Sequence, residues 1–292
     1  MGIDITGTGV ALATPFKADL TPDLAAFGRL LDHVLKGGVD YVVVNGTTAE
    51  SATTNSQEKT LLLDTAKKHL QGKLPIVYGI GGNNTADTIS RIKSTDLEGV
   101  KAVLSVCPYY NKPSQEGIYQ HYIAIADNCP VPIILYNVPG RTGVNITAQT
   151  TIRLSQHPNI IGVKDAGGDL TQGLEVVKGA AQDFYLISGD DMLTVPMISI
   201  GAKGVISVLA NAYPSQYSEM VRKSLDQNFQ DALPILKSFS GLNPLLYEES
   251  NPVGIKQALE LLNICEGHVR LPLVKCSDSL KDRIREKMTE VN

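Results

Sequence analysis

The 292-residue chain has no tryptophan, five phenylalanines and four cysteines. Cys107, Cys129, Cys265 and Cys276 form neither a C-x-x-C pair nor a regular framework. That excludes a zinc ribbon and a disulfide scaffold, and it fits reduced thiols. Positive charge is not in excess: 26 Lys and Arg face 30 Asp and Glu, a formal net charge of -4. Such a surface has no electrostatic footprint for nucleic acid or an anionic membrane. No stretch approaches the ~20 unbroken apolar residues of a membrane span. Met1 to Gly9 lacks a basic n-region and an apolar h-region, so the cytoplasm is the expected compartment.

The five histidines, His33, His69, His121, His157 and His268, show no metal-ligand spacing. They are expected at the surface or at caps. No G-x-G-x-x-G follows the first apolar run, and Gly79-Ile80-Gly81-Gly82 has the wrong spacing for one. A dinucleotide site is therefore excluded. With no metal and no cofactor indicated, small metabolites are the expected partners.

What is present is apolar material: 43% of residues are hydrophobic and 19% charged, enough for a sizeable core. Short runs rich in β-branched residues recur at Val10–Ala13, Tyr41–Asn45, Ile76–Ile80, Ala102–Val106, Ile133–Tyr136, Ile160–Lys164, Phe184–Ser188 and Val205–Val208. Most are continuous rather than alternating, as expected of parallel strands buried on both faces. Amphipathic helical stretches separate them: Gln57–Leu70, Thr85–Leu97, Gln115–Asp127, Thr147–Ser155, Thr171–Ala181 and Met192–Ile200. An earlier helix, ending at Gly37-Gly38, is expected to take its cap and first-turn proline from Thr21-Pro22-Asp23.

Eight strands alternating with helices predict an α/β fold, a closed (β/α)8 TIM barrel rather than an open sheet. Residues 1–220 are assigned to the barrel. Residues 221–292 are assigned to a helical extension packed on it, with breaks near Pro234, Asn243-Pro244, Asn251-Pro252 and Leu271-Pro272.

Sites in such barrels lie at the C-terminal ends of the strands. Those ends carry Gly46-Thr47-Thr48-Ala49-Glu50, Pro108-Tyr109-Tyr110-Asn111-Lys112-Pro113, Tyr136-Asn137-Val138-Pro139-Gly140-Arg141-Thr142-Gly143, Lys164-Asp165 and Ser188-Gly189-Asp190-Asp191. No histidine is among them. A lysine is then the best available nucleophile and a tyrosine the best proton carrier.

Lys164 ends the buried run Ile160-Ile161-Gly162-Val163, where desolvation disfavours the ammonium form. A neutral amine there can attack a ketone; alternatively the lysine snorkels and pairs with Asp165. Gly46-Thr47-Thr48 offers amides and hydroxyls to a carboxylate, or is simply a helix cap. Tyr136 is a proton carrier or core filling. Arg141 clamps a second carboxylate or pairs at the surface.

These linked motifs, in order and over essentially the whole chain, resemble the dihydrodipicolinate synthase family of pyruvate-dependent class I aldolases. The resemblance implies catalytic roles for Lys164, Tyr136, Thr47 and Tyr110. Lys164 forms an imine with pyruvate, and Tyr136 shuttles protons while bonded to Thr47 and to Tyr110 of a neighbouring subunit. Thr48, Arg141, Gly189 and Ile206 bind substrate, with Arg141 holding the carboxylate of aspartate semialdehyde. No metal or redox cofactor is needed. A homo-oligomer is implied, a dimer at minimum and commonly a tetramer.

Sibling lyases that cleave 2-keto-3-deoxy acids share the lysine and tyrosine, but Arg141-Thr142-Gly143 resembles the synthase branch. A non-catalytic barrel is the remote third reading. Ala49 departs from the family's glycine, which raises a question of backbone strain. Positions matching a lysine effector site are Ser51, Ala52, Ser56, Lys59, Asn83, Asp87 and Tyr109. A cation at Lys59 and a shortened Asp87 imply weak or absent feedback inhibition.

Overall fold

Strand β1 (Gly7–Ala11) pairs on one side with β2 (Tyr41–Val44) and on the other with β8 (Gly204–Ser207), always in parallel. With β3 (Ile76–Gly79), β4 (Val100–Val106), β5 (Ile133–Asn137), β6 (Ile160–Asp165) and β7 (Tyr185–Ser188), these strands close a barrel in chain order. The structure, a computed structural model, describes residues 4–291. The helices between the strands are α1 (Leu24–Lys36), α2 (Ser56–Leu70), α3 (Thr85–Ser94), α4 (Gln115–Asn128), α5 (Pro139–Thr142), α6 (Ala148–Leu154), α7 (Leu170–Gly179) and α8 (Thr194–Ser199). After β8 come a 3-10 turn (Leu209–Asn211), α9 (Pro214–Leu225), α10 (Phe229–Ser238), α11 (Leu245–Glu248), α12 (Val253–Leu261) and α13 (Asp278–Met288). Among the described residues no helix is long and apolar enough to cross a membrane.

The apolar runs are continuous because each strand has two buried faces. One face fills the barrel with side chains such as Tyr41, Val77, Ile134 and Ile206. The other packs under the helices, where Val42, Val103, Ile133 and Val205 meet Phe27, Leu30 and Ile118. Burying an aliphatic side chain of this size contributes about 1.5–3 kcal/mol, so both layers hold the strands in place.

Most expected strands lie within two residues of those observed; β1 starts three residues earlier. Gly7-Thr8-Gly9 shows no apolar signal, yet a Cβ on Gly9 would lie 2.3 Å from the Tyr41 ring. The tyrosine occupies the space that a side chain on β1 would need. Three helical expectations also need correction. Asp23 alone caps α1, accepting from the Ala26 amide at 3.0 Å, while Pro22 precedes the cap and bridges to Phe16. Helix α3 stops at Ser94 because Thr95 turns to extended backbone. Pro234 lies within α10 rather than breaking it. The missing bond there is tolerated because Ala232 and Leu236 are buried in the same core as α9.

The expected division at 220/221 falls inside α9. Beyond it, the chain returns over the C-terminal ends of the strands. Lys256, fully buried, reaches the loop after β2 from α12. His121 departs from the expected surface setting. It is buried on α4, bonded through Nδ1 to the Thr85 hydroxyl at 2.8 Å, and burial pushes its pKa down to about 4.

Candidate active site

The register of β5 and β6 sets Tyr136 beside Lys164. Both side chains point into the barrel, and the Lys164 Nζ lies 4.5 Å from the centre of the Tyr136 ring. Lys164 is 5% exposed. Alternation along the strand turns Asp165 to the opposite face. There it accepts from the Gly167 amide at 2.7 Å, Asn137 Nδ2 at 3.1 Å and Gln172 Nε2 at 3.5 Å. Burial raises the Asp165 pKa, and these bonds oppose the rise. Asp165 is thus turned to Gly167, Asn137 and Gln172, and among the described residues Lys164 has no ion pair. Of its two readings, the pairing with Asp165 is not formed.

The loop after β2 is a tight double turn. The Ala49 amide donates to the Gly46 carbonyl at 3.2 Å and the Glu50 amide to the Thr47 carbonyl at 3.0 Å. The left-handed residues here are Asn45 and Glu50, at φ 62 and 54, not Ala49. An alanine therefore fits without backbone strain, which answers the question raised by the missing glycine. Asn45 Nδ2 donates to the Gly79 carbonyl at 2.8 Å. A Cβ on Gly79 would stand 2.2 Å from the Asn45 carbonyl oxygen, so β3 must carry glycine there.

The C-terminal helices hold this loop from above. Asn251 Nδ2 donates to the buried Thr48 hydroxyl at 3.0 Å. Lys256 Nζ donates to Glu50 Oε1 at 2.5 Å and to the His268 carbonyl at 2.8 Å. The Arg270 amide donates to the other Glu50 oxygen at 2.9 Å. Arg141, exposed on the short helix α5, donates to the Asn251 carbonyl at 3.4 Å.

Two cavities meet here. The inner one, of about 240 Å³, is lined by Thr47, Thr48, Tyr136, Arg141, Lys164 and Gly189. It has a primary amine, a phenol, hydroxyls and a guanidinium, and no histidine. A Cβ on Gly189 would be 2.8 Å from that of Ala166, so this wall must be backbone. Among the described residues no group of three or more His, Cys, Asp or Glu side chains is placed to hold a metal ion.

The outer cavity, of about 610 Å³, shares Gly46, Thr47, Tyr136, Arg141 and Asn251 with the inner one. Its far wall includes Ser51, Ala52, Lys59, Asp87, Arg91 and Tyr109. Asp87 already pairs with Arg91 Nε at 2.9 Å. Burial and the Arg91 cation push the Lys59 pKa down.

Not every expected residue arrives. Tyr110 is 88% exposed, with φ 72, and lines neither cavity. Thr47 and Tyr136 share a cavity, but among the described residues no hydrogen bond joins them. Ile206 is buried inside the barrel and lines neither cavity; Val208 takes that wall. Asn83 stays outside both linings, its Nδ2 donating to the Tyr109 carbonyl at 3.1 Å. The sequence reading missed Asn243, Tyr247 and Asn251, which close the inner cavity from the extension. The Asn-Pro pairs at 243 and 251 were the available signal, read there only as helix breaks.

A family profile described as the dihydrodipicolinate synthetase family matches residues 4–291. The 4-hydroxy-tetrahydrodipicolinate synthase of Cytophaga hutchinsonii is 56% identical, over 98% of this chain and 96% of its own. That of Flavobacterium psychrophilum is 47% identical, over 95% of each. Among solved structures, the dihydrodipicolinate synthase of Acinetobacter baumannii, complexed with pyruvate, superposes with a TM-score of 0.96. It is 35% identical over 99% of both chains.

Proposed function

The chain belongs to the dihydrodipicolinate synthetase family, and from that premise we propose how its cavity performs the 4-hydroxy-tetrahydrodipicolinate synthase reaction. The enzyme is a lyase-type class I aldolase that condenses pyruvate with aspartate semialdehyde in lysine and diaminopimelate biosynthesis. Relatives that carry this name at up to 56% identity favour it over a sibling sugar-acid lyase and over a non-catalytic barrel.

The observation that carries the mechanism is Lys164: buried, without a carboxylate partner, beside Tyr136 in the inner cavity. Its amine attacks the ketone of pyruvate, and loss of water gives the imine. The pyruvate carboxylate rests on the Thr48 hydroxyl and on the amides of the loop after β2. Tyr136 carries protons to and from the imine and the enamine. The enamine carbon attacks the aldehyde of the second substrate, whose carboxylate Arg141 holds. That substrate's amine then closes the ring and releases Lys164. Gly189 supplies a backbone wall. The barrel, residues 1–220, carries these groups, and the extension, 221–292, completes the cavity. A second copy of the chain supplies Tyr110, which is why that tyrosine faces outward in its own subunit. The outer cavity is the effector cleft, disfavoured for lysine by its cations.

Intact mass after incubation with pyruvate and borohydride tests the reading. One reduced pyruvyl adduct at Lys164, absent in Lys164→Ala, is the expected result. A folded protein that takes no adduct refutes it.

A further inference from the structure

Thr48 is buried, and among the described residues its hydroxyl has a single hydrogen-bond partner, Asn251 Nδ2 at 3.0 Å. A hydroxyl carries one proton and two lone pairs. An amide N–H pointing at the oxygen occupies a lone pair, so the hydroxyl proton turns elsewhere. The side available to it is the inner cavity, which both residues line.

Asn251 is itself buried, and its Oδ1 has no partner. Its carbonyl meanwhile accepts from Arg141 at 3.4 Å. One residue therefore touches both the Thr48 hydroxyl and the Arg141 guanidinium. Nothing about its local sequence assigns it that place; it lies 203 residues from Thr48 along the chain.

We propose that Asn251 is a positioning residue that fixes the direction of the Thr48 hydroxyl, so that Thr48 always presents a donor to the carboxylate of the keto acid. It acts through Thr48 and not on the reacting carbon. Replacing the amide by a carboxylate of the same shape reverses the bond. Thr48 then donates to residue 251, and a negative charge stands beside the substrate's own. The inference rests on the Schiff-base reading and deepens it by assigning the determinant of keto-acid affinity.

The test is the pyruvate dependence of borohydride-trapped adduct at Lys164, followed by intact mass, together with steady-state kinetics. Asn251→Asp is expected to raise the half-saturating pyruvate concentration roughly tenfold or more, the scale of a lost hydrogen bond to a charged group. The rate at saturating pyruvate should change far less. Thr48→Val should weaken pyruvate in the same way, and Asn251→Ala added to Thr48→Val should weaken it no further. Circular dichroism confirms that each variant is folded, and Asn251→Ala, read alone and on Thr48→Val, keeps the test valid should Asn251→Asp misfold.

Wild-type pyruvate dependence in folded Asn251→Asp overturns the inference while leaving the Schiff base intact. So do fully additive effects of Thr48→Val and Asn251→Ala. Absence of any adduct in the wild-type enzyme overturns the Schiff-base reading and this inference together.

Discussion

Lys256 Nζ lies 2.5 Å from Glu50 Oε1, an ion pair that joins α12 to the loop carrying Thr47 and Thr48. Both side chains are almost wholly buried, and the Phe16 ring lies 4.1 Å from the ammonium. Burial pulls the Lys256 pKa below its usual range, and the Glu50 carboxylate opposes that pull. Breaking such a pair strands a buried charge. Lys256→Met is therefore expected to cost about 3–5 kcal/mol, and the double replacement with Glu50→Gln to recover much of it. Chemical denaturation of the single and double variants checks both.

Arg141 lines both cavities, and the proposed mechanism gives it the second substrate's carboxylate and no part in forming the imine. Arg141→Ala is expected to lower kcat/KM for aspartate semialdehyde by roughly a hundredfold, the loss of about 3 kcal/mol from a charge-assisted bond. The yield of pyruvate adduct should stay near that of the unmodified enzyme. An adduct lost in parallel would place the arginine on the first substrate instead.

Glu260 gathers charge in the extension. Burial acts to raise its pKa, but bonds from Gln257, Lys275, the Gly267 amide and Lys281 outweigh it, and the pKa falls from the ordinary 4.5 to about 2. A carboxyl depressed in the folded state adds stability above its unfolded value and loses it as pH falls through the folded one. The melting temperature should thus drop between pH 4.5 and about 2, and Glu260→Gln should flatten part of that slope. An unchanged slope would assign the acid sensitivity to other carboxylates.

In the outer cavity the cations Lys59 and Arg91 stand together, and Asp87 is already held by Arg91 at 2.9 Å. An incoming lysine ammonium meets repulsion and finds that carboxylate occupied. Feedback inhibition by lysine is expected to be absent or confined to millimolar concentrations. Lys59→Glu should strengthen it, as a coupled assay with added lysine will show. Micromolar inhibition of the unmodified enzyme is the contrary result.

Tyr110 tests the shared site. If a second copy supplies it, Lys164→Ala and Tyr110→Ala should each be impaired alone. Mixed subunits should regain activity, since some sites then hold both an intact lysine and an intact tyrosine. No recovery after subunit exchange has been demonstrated would confine catalysis to one chain.

The strands and the positions of Lys164 and Tyr136 on them were legible because both are local. A continuous β-branched run announces a strand with two buried faces. Alternation within it decides that Lys164 and Asp165 face opposite ways. Glycine hides the same signal at Gly7-Thr8-Gly9, where the constraint is the Tyr41 ring from the next strand. Pro234 misleads for a similar reason: its local penalty is real, but the packing of α10 exceeds it.

By itself, then, the sequence determined the barrel, the lysine at the end of β6 and the tyrosine beside it. Those follow from periodicity and from which residue types can do the chemistry. Only the tertiary structure decided that Ala49 is unstrained, that Asn251 touches Thr48, and that Lys256 neutralises Glu50. The last two contacts join residues 203 and 206 positions apart. No periodic pattern encodes a pairing at that range. It exists only once the closed barrel brings the returning helices over the ends of its strands.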